Sequence, residues 1–278
     1  MIPASFAYAR PGSLGEAVEL LAAHDGDAKL LAGGQSLIPL LKLRLSVPAL
    51  LLDIGRLSDL AGVRDQGDHL AIGALTRHHD LARDPLVRQH APLLAHAAGQ
   101  VGDPQVRHRG TLGGSLAHAD PAGDLPAVVL AYEATAIARG PRGERAIPAA
   151  KLFTGFLESA LAPDEVLCEV RVPKLGPAVG WSFQKFTRRA IDWATVGVAA
   201  LCGPGLARVA LISMGPTPLR AAEVEARLQA GASPAEAAEA AAEGTDPTTD
   251  AWASSWYRQQ LARVLVRRAL EEATSSHP

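Results

Sequence analysis

Two glycine pairs constrain this chain more than any other feature of its sequence. The first lies in Ala32-Gly33-Gly34-Gln35-Ser36 and the second in Thr111-Leu112-Gly113-Gly114-Ser115. Glycine lets the backbone approach a ligand closely and adopts positive φ at little cost. Successive amide N–H groups in such a turn form a concave site for phosphate oxygens. One pair alone is most simply a turn, but two such loops, each with a hydroxyl residue, predict one extended ligand with a pyrophosphate between them, as in a dinucleotide.

Composition excludes several classes of partner. The chain has 48% hydrophobic and 20% charged residues with a formal net charge of −2, which is ordinary for a globular protein and gives no electrostatic footprint for nucleic acid. No apolar stretch approaches the ~18 residues that span a bilayer, so no membrane span is expected. The N-terminus lacks the basic start and apolar core of a signal peptide.

The cysteines and histidines argue against a metal centre within this chain. Cys168 and Cys202 are the only cysteines, and both sit in apolar runs, which predicts buried, unpaired thiols and a cytoplasmic location. Two thiols cannot supply the four thiolates that an iron–sulfur cluster usually needs. The most tempting metal ligands are the adjacent His78 and His79 together with His108, but no cysteine or carboxylate is spaced with them as in a zinc site. We therefore predict no metal site.

The first part of the chain alternates apolar and amphipathic stretches, which indicates mixed α/β structure. Ser13 followed by Glu16 predicts a capping box at the start of the first helix. The predicted segments are a helix over 13–24, a strand over 28–31, a helix over 36–45, strands over 49–54 and 69–75, helices over 76–83 and 86–100 with an interruption near Pro92, an apolar β-tolerant stretch over 127–139, and a strand over 165–172.

A domain boundary is predicted at Lys174–Val179, where Gly176-Pro177 follows the last of these strands. Three strands separated by turns come next, which is the spacing of an antiparallel sheet. Asp250 is expected to cap a long final helix that ends near Ala273. The predicted segments beyond the boundary are strands over 180–188, 194–201 and 207–214 and Ala-rich helices over 221–230 and 233–242.

Three segments resemble one known family in order and spacing, the flavin-binding medium subunits of molybdenum hydroxylases, which include those of xanthine and carbon monoxide dehydrogenases. They are AGGQSLIPLLKLR (residues 32–44), TLGGSLAHADPAGD (111–124) and KFTRRAIDWATVGVA (185–199). The resemblance covers essentially the whole chain. It implies an α+β fold: a two-part FAD-binding domain of the p-cresol methylhydroxylase type, and then a small domain with a three-stranded antiparallel sheet and helices. The implied bounds are 1–175, with subdomains of about 1–55 and 56–175, and 178–278.

The resemblance also implies a site for noncovalent FAD. In this family's terms, amides of the two glycine loops hold the pyrophosphate, and Thr111, Ser36 and Ser115 add hydroxyls. Asp124 accepts from ribityl or ribose hydroxyls, although it could instead cap a helix that starts near Pro126. Lys185 reaches the pyrimidine side of the flavin. The complete set of cofactor-binding residues is Ala32, Gly33, Gly34, Gln35, Ser36, Val101, Thr111, Gly113, Gly114, Ser115, Asp124, Leu167, Lys185 and Trp193.

Four positions in this set carry qualifications. Related flavin oxidases can anchor FAD through a histidine at the position of Gln35, and glutamine cannot form that bond. Trp193 replaces a tyrosine of some members and either covers the flavin face or is a buried core residue. Val101 and Leu167 match positions that pack on the cofactor in relatives, but an apolar side chain at either place would also be ordinary core. No residue is singled out as catalytic.

The implied function is electron transfer within a complex. A large molybdopterin-binding subunit and a small subunit with two [2Fe–2S] clusters would be the partners, in a dimer of heterotrimers. Electrons would pass from the clusters through FAD to an external acceptor. Two other hypotheses remain: a self-sufficient flavin-dependent oxidase or reductase with its own substrate site, and an interaction subunit that has lost its cofactor.

Overall fold

A computed structural model of this chain describes residues 2–275, so Met1 and residues 276–278, which form the outer ends of the two predicted domains, lie outside the described residues. The first elements are β1 (Ala7–Ala9), α1 (Leu14–Ala23), β2 (Ala28–Leu31), α2 (Leu37–Leu43) and β3 (Leu50–Asp53). The strands form a parallel sheet in the order β1-β3-β2. Leu50 and Leu52 of β3 pack with Ala17 and Leu21 of α1 in a small core. This N-terminal unit places the end of β2, and with it the first glycine pair, beside the rest of the chain.

Half of the predicted capping box forms at α1. The Ser13 hydroxyl accepts a hydrogen bond from the Glu16 N–H at 3.2 Å, so the predicted start of the helix is confirmed. The Glu16 carboxylate, however, accepts from the N–H of Gly12 at 2.6 Å. At the N-terminus of α1, the Glu16 side chain therefore binds the backbone N–H of Gly12, one residue earlier than the Ser13 N–H that a capping box uses.

The middle of the chain builds an antiparallel sheet covered by helices. After a 3₁₀ turn over Ser58–Leu60, its elements are β4 (Val63–Asp65), β5 (His69–Gly73), α3 (His78–Leu81), α4 (Pro85–His90), α5 (Pro92–Gly99), α6 (Pro104–Arg107), α7 (Leu112–His118), α8 (Asp124–Ala131), β6 (Thr135–Gly140), β7 (Gly143–Pro148), α9 (Ala149–Leu152), β8 (Phe153–Gly155), β9 (Glu158–Ser159) and β10 (Val166–Pro173). The five-stranded order is β4-β5-β10-β6-β7, and β8 pairs with β9 separately.

An irregularity in β10 lets that strand serve two cores. Its register against β6 shifts between Leu167 and Glu169. Leu167 and Val170 both belong to the main core, whereas Val166 and Cys168 pack against the N-terminal unit. Side chains alternate between the two faces of a regular strand, so Leu167 and Val170, three residues apart, would point to opposite faces. The bulge adds one residue between them and so lets both face the main core. The strand β10 thus contributes side chains to both cores.

The β-tolerant stretch predicted over 127–139 is wrong in its first half. Residues Asp124–Ala131 form α8, and only Thr135–Gly140 form a strand. Every residue of α8 is buried. A helix buried on all sides shows no apolar stripe, so its sequence cannot be distinguished by periodicity from a buried strand.

The C-terminal elements form a second antiparallel sheet, which confirms the prediction of such a sheet. They are β11 (Gly180–Phe186), β12 (Val196–Gly203), β13 (Leu206–Ile212), β14 (Leu219–Arg220), α10 (Ala222–Gln229), α11 (Pro234–Ala238), a 3₁₀ turn (Glu239–Ala242) and α12 (Ser255–Ser275). The strands follow each other in order, and the two-residue β14 adds a short fourth strand that the sequence does not signal. Along β12, Ala199 and Leu201 face the main core, whereas Val198 and Ala200 face the helices. Burial on both faces explains why this strand is apolar throughout.

Asp250 does not cap the final helix as predicted. The helix begins at Ser255, and the hydroxyl of Ser254 accepts from the N–H of Tyr257 at 3.2 Å. Asp250 instead pairs with Arg258 at 2.6 Å. An aspartate so close to a helix start satisfies the same sequence pattern in either role, so the pattern alone could not separate them. Over residues 2–275, no helix combines the length and apolarity that crossing a bilayer requires.

Candidate functional site

All of the sequence-predicted cofactor residues line one cavity. Its volume is about 660 Å³, which lies within the usual range for ligand pockets of ~300–1,000 Å³. The walls come from the end of β2, the start of α7, the start of α8, the bulged part of β10, and β11 with the loop that follows it. Residues as far apart in the sequence as Ala32 and Trp193 therefore meet at a single place.

The first glycine loop presents unused hydrogen-bond donors to this cavity. Gly34 has φ +76°, a conformation that favours glycine, and its carbonyl accepts from the N–H of Ile38 at 3.0 Å. Within residues 2–275, the amides of Gly33, Gly34, Gln35 and Ser36 donate to no protein acceptor, and the Ser36 hydroxyl makes no capping bond. Four consecutive free amides are suited to phosphate oxygens.

Gly33 is required for a different reason from the one the sequence suggests. A Cβ atom at this position would lie 2.8 Å from the Cα of Gly110 and would also collide with the carbonyl oxygen of Arg109. Both are backbone atoms of the segment that leads into the second glycine loop. Gly33 therefore allows the two loops to touch each other, in addition to any approach by a ligand.

The second glycine loop uses its own amides internally. The Gly113 N–H donates to Ala74 O at 2.8 Å, and the Gly114 N–H donates to the Thr111 hydroxyl at 3.1 Å. A Cβ at Gly113 would lie 2.5 Å from the Cβ of Ala74. Gly113 therefore packs α7 against the residue that follows β5, and the Gly114 amide is used within the first turn of α7. That amides of this loop hold a pyrophosphate stays a prediction. The Ser115 hydroxyl, which has no partner among the described residues, is the free donor on this side.

Asp124 and Lys185 form a buried ion pair at the cavity wall. Their side chains are 5% and 6% exposed, and Lys185 Nζ lies 2.7 Å from Asp124 Oδ2. Lys185 also donates to the carbonyl of Gln100 at 3.2 Å. Burial raises the pKa of Asp124 to about 6, although the charge of Lys185 opposes the rise. The carboxylate makes no helix-capping bond, and its Oδ1 is buried with no partner among residues 2–275, which leaves one strong acceptor for a ligand.

The apolar residues of the predicted set occupy two environments. Val101 and Leu167 line the cavity, and Leu167 is only 6% exposed. Trp193 is 59% exposed at the cavity edge, so the alternative that it is a core residue is wrong. An exposed indole at the edge of a pocket is free to cover a flat ligand.

His78 lines the cavity, although its sequence context suggests only a metal ligand beside His79 and His108. The two adjacent side chains diverge: the ring of His79 stacks on that of His108 at 3.8 Å between centroids. His78 is 4% exposed and lines the cavity. Burial and the nearby Arg77 and Arg107 lower its pKa to about 4. The described residues contain no cluster of three potential metal ligands.

Two protein-family models match successive parts of the chain. Residues 4–175 match the model described as the FAD binding domain in molybdopterin dehydrogenase. Residues 181–273 match the CO dehydrogenase flavoprotein C-terminal domain. Together the two models account for nearly the whole chain.

Full-length relatives and solved structures agree with these matches. The carbon monoxide dehydrogenase medium chain of Hydrogenophaga pseudoflava is 42% identical over 98% of both chains. The alpha subunit of the 6-hydroxypseudooxynicotine dehydrogenase complex of Paenarthrobacter nicotinovorans is 41% identical over 98% of this chain and 96% of that one. The structure of the H. pseudoflava enzyme lacking the Mo-pyranopterin moiety superposes with a TM-score of 0.96 over 100% of both chains. Quinoline 2-oxidoreductase of Pseudomonas putida 86 gives 0.92 at 34% identity over 99% of both.

Proposed function

This chain belongs to the family of FAD-binding medium subunits of molybdenum hydroxylases, and we propose that it binds one FAD in the cavity described above. It is the flavoprotein subunit of an oxidoreductase complex. The observation that carries the placement of FAD is the convergence of all the family-matched residues on a single cavity.

Polar groups that the protein leaves without partners support this placement. The free amides of residues 33–36 suit the pyrophosphate, and the orphaned Oδ1 of Asp124 suits a ribityl or ribose hydroxyl. The hydroxyl of Ser115 adds a donor in the same cavity. The Oδ1 of Asp124 carries most weight, because a buried polar atom without a partner is rare in folded proteins. FAD offers acceptors and donors of the kinds that these atoms lack.

Each group of residues has its own task in the proposed site. When bound, FAD supplies a carrier that exchanges one or two electrons. Asp124 holds the ammonium group of Lys185 in place at the cavity wall, and the positive charge of that group would stabilise a reduced, anionic flavin ring bound beside it. Val101 and Leu167 give the apolar wall, and the exposed Trp193 lies where it can shield the ring from water.

We propose that the complex is a heterotrimer, or a dimer of heterotrimers, with a large molybdopterin-binding subunit and a small [2Fe–2S] subunit. The relatives are named as medium chains or subunits of larger enzymes, which supports partners of this kind. The two buried free cysteines of this chain support a cytoplasmic location. Electrons would arrive from the clusters of the small subunit and leave through FAD to an external acceptor.

We also propose a division of the chain at 174–179. This segment lies between the end of β10 and the start of β11. The bounds of the two family models, 4–175 and 181–273, support domains over 1–175 and 178–278. The parallel β1-β3-β2 sheet and the five-stranded sheet support subdomains of about 1–55 and 56–175.

The bound FAD should be released by acid. Gln35 stands where a histidine would be needed for a covalent bond, so the flavin should be held only by contacts that unfolding breaks. The test is to purify the complex through a tag on this chain, to measure FAD, iron and molybdenum, and then to precipitate the protein with acid. We expect one FAD per chain, all of it in the supernatant.

Two results would contradict the proposal. Yellow precipitate would show a covalent flavin. Substrate turnover by the isolated, flavin-loaded chain would favour the self-sufficient oxidase or reductase instead, because that enzyme needs no molybdenum partner.

A further inference from the structure

His78 is held rigidly at the junction of the two glycine loops. It is the first residue of α3, and its backbone N–H donates to Gly110 O at 3.0 Å. A Cβ at Gly110 would lie 2.7 Å from Cδ2 and 2.9 Å from Nε2 of the His78 ring. The absent side chain of Gly110 is therefore what makes room for the imidazole, whose orientation is set by close packing.

The imidazole lacks protein partners although it is almost completely buried. Only 4% of His78 is exposed, and its Nδ1 is buried without a hydrogen bond among residues 2–275. Its Nε2 likewise has no hydrogen-bond partner among the described residues, but it is not among the buried unpartnered atoms. Because His78 lines the cavity, Nε2 is the ring nitrogen that a ligand there can reach. A hydrogen bond to a charged ligand group at this atom is typically worth about 1.5–3 kcal/mol.

The surroundings of His78 keep its imidazole neutral. Burial, reinforced by the nearby charges of Arg77 and Arg107, lowers the pKa of the ring to about 4, so it is uncharged at pH 7. A neutral imidazole carries one N–H donor and one acceptor nitrogen. With two arginines nearby, the preferred ligand group for that donor is anionic.

The position of His78 selects which part of the cofactor it meets. Gly110 is packed between the imidazole of His78 and the first glycine loop. Its contact with that loop is close: a Cβ atom at Gly33 would lie 2.8 Å from the Cα of Gly110. A single glycine thus separates the imidazole from the loop whose free amides suit the pyrophosphate. The ribityl acceptor Asp124 belongs to a different element, α8.

We propose that His78 is a cofactor-binding residue that donates a hydrogen bond to a pyrophosphate oxygen of FAD. This inference rests on the FAD site proposed above and adds to it a residue outside the glycine loops. The histidine is unpartnered in the flavin-free chain because its partner is the cofactor.

The test compares four variants of the full chain: His78→Leu, His78→Asn, His78→Gln and, as a matched control, His79→Leu. His79 is the adjacent histidine, and it is absent from the cavity wall. We expect His78→Leu to weaken FAD binding about 10- to 100-fold, the value of a hydrogen bond to a charged group. The control should bind as the wild type does. Asparagine places an amide nitrogen near Nδ1 and glutamine near Nε2, so whichever restores affinity identifies the donating atom.

Two further readouts separate cofactor binding from a structural role. In the flavin-free protein, His78→Leu should keep or raise the free energy of unfolding, because it removes a buried polar group that has no partner. In the wild type, the imidazole ¹⁵N resonances of His78 should shift when FAD is added, whereas those of His79 should not.

The possible failures are distinguishable. If wild-type protein binds FAD tightly and His78→Leu binds it equally well, the role of His78 is overturned and the site stands. The role is also overturned if His78→Leu destabilises the flavin-free chain as much as it weakens FAD binding. If the wild type binds no FAD, either alone or assembled with its partners, both the site and this inference are wrong.

Discussion

Gly33→Ala should weaken FAD binding strongly and destabilise the protein. The added methyl group would collide with the carbonyl oxygen of Arg109 and lie 2.8 Å from the Cα of Gly110, and neither backbone atom can rotate away. The first loop must then move off the second, which displaces the free amides of residues 33–36. Loss of two such donors at ~1.5 kcal/mol each weakens FAD binding about 100-fold. Overpacking should lower the free energy of unfolding by about 1–3 kcal/mol.

The matched control for this variant is Gly176→Ala. No heavy atom lies within 4 Å of a Cβ at Gly176, and its φ is not in the left-handed region. Both variants are measured by FAD titration and by urea denaturation of the flavin-free chain. If Gly33→Ala binds FAD as tightly as Gly176→Ala, the contact between the loops does not position the phosphate site.

Lys185→Met should destabilise the flavin-free chain and weaken FAD binding. The substitution leaves the buried Asp124 without its counter-ion, and breaking one side of a buried ion pair costs about 3–5 kcal/mol. Burial already raises the pKa of Asp124, and loss of the lysine raises it further, so the folded protein holds this proton more tightly than the unfolded chain does. Stability is then greatest at low pH and falls as pH rises through the folded pKa. The loss of unfolding free energy in Lys185→Met, relative to the wild type, should therefore be larger at pH 8 than at pH 5.

The double variant Lys185→Met/Asp124→Leu separates stability from function. With no buried charge left, most of the lost unfolding free energy should return, because apolar replacement of a buried pair is often neutral or stabilising. FAD binding should stay weak, since both the ribityl acceptor and the cation near the ring are gone. Denaturation at pH 5 and pH 8 and FAD titration provide the two readouts. A double variant that binds FAD like the wild type would show that the pair is only structural.

The sequence predicts the members of the cavity better than it predicts their roles. The glycine loops, Asp124 and Lys185 are recognisable because they occur in fixed local patterns. Glycine is needed at position 33 because the backbone of Arg109 and Gly110 lies against it. These residues are distant in the sequence, so no local pattern reveals this contact. Partners that come together only in the fold decide whether a glycine amide is free or occupied.

The same limit explains the errors in the fold. The strand β12 is predicted correctly because its bounding turns are clear, although its two faces enter different cores. The helix α8 is missed because burial on all sides removes the amphipathic period. His78 gives no sequence signal at all, since its role depends on the room that Gly110 leaves for it.

Titration of the flavin-free wild-type chain with FAD, first alone and then assembled with its partner subunits, tests directly whether this cavity is an FAD site. We expect saturable binding of one FAD per chain in the assembled complex, and the same stoichiometry in the isolated chain if the cavity is complete without partners. Absence of saturable binding in both forms would show that the cavity is not an FAD site.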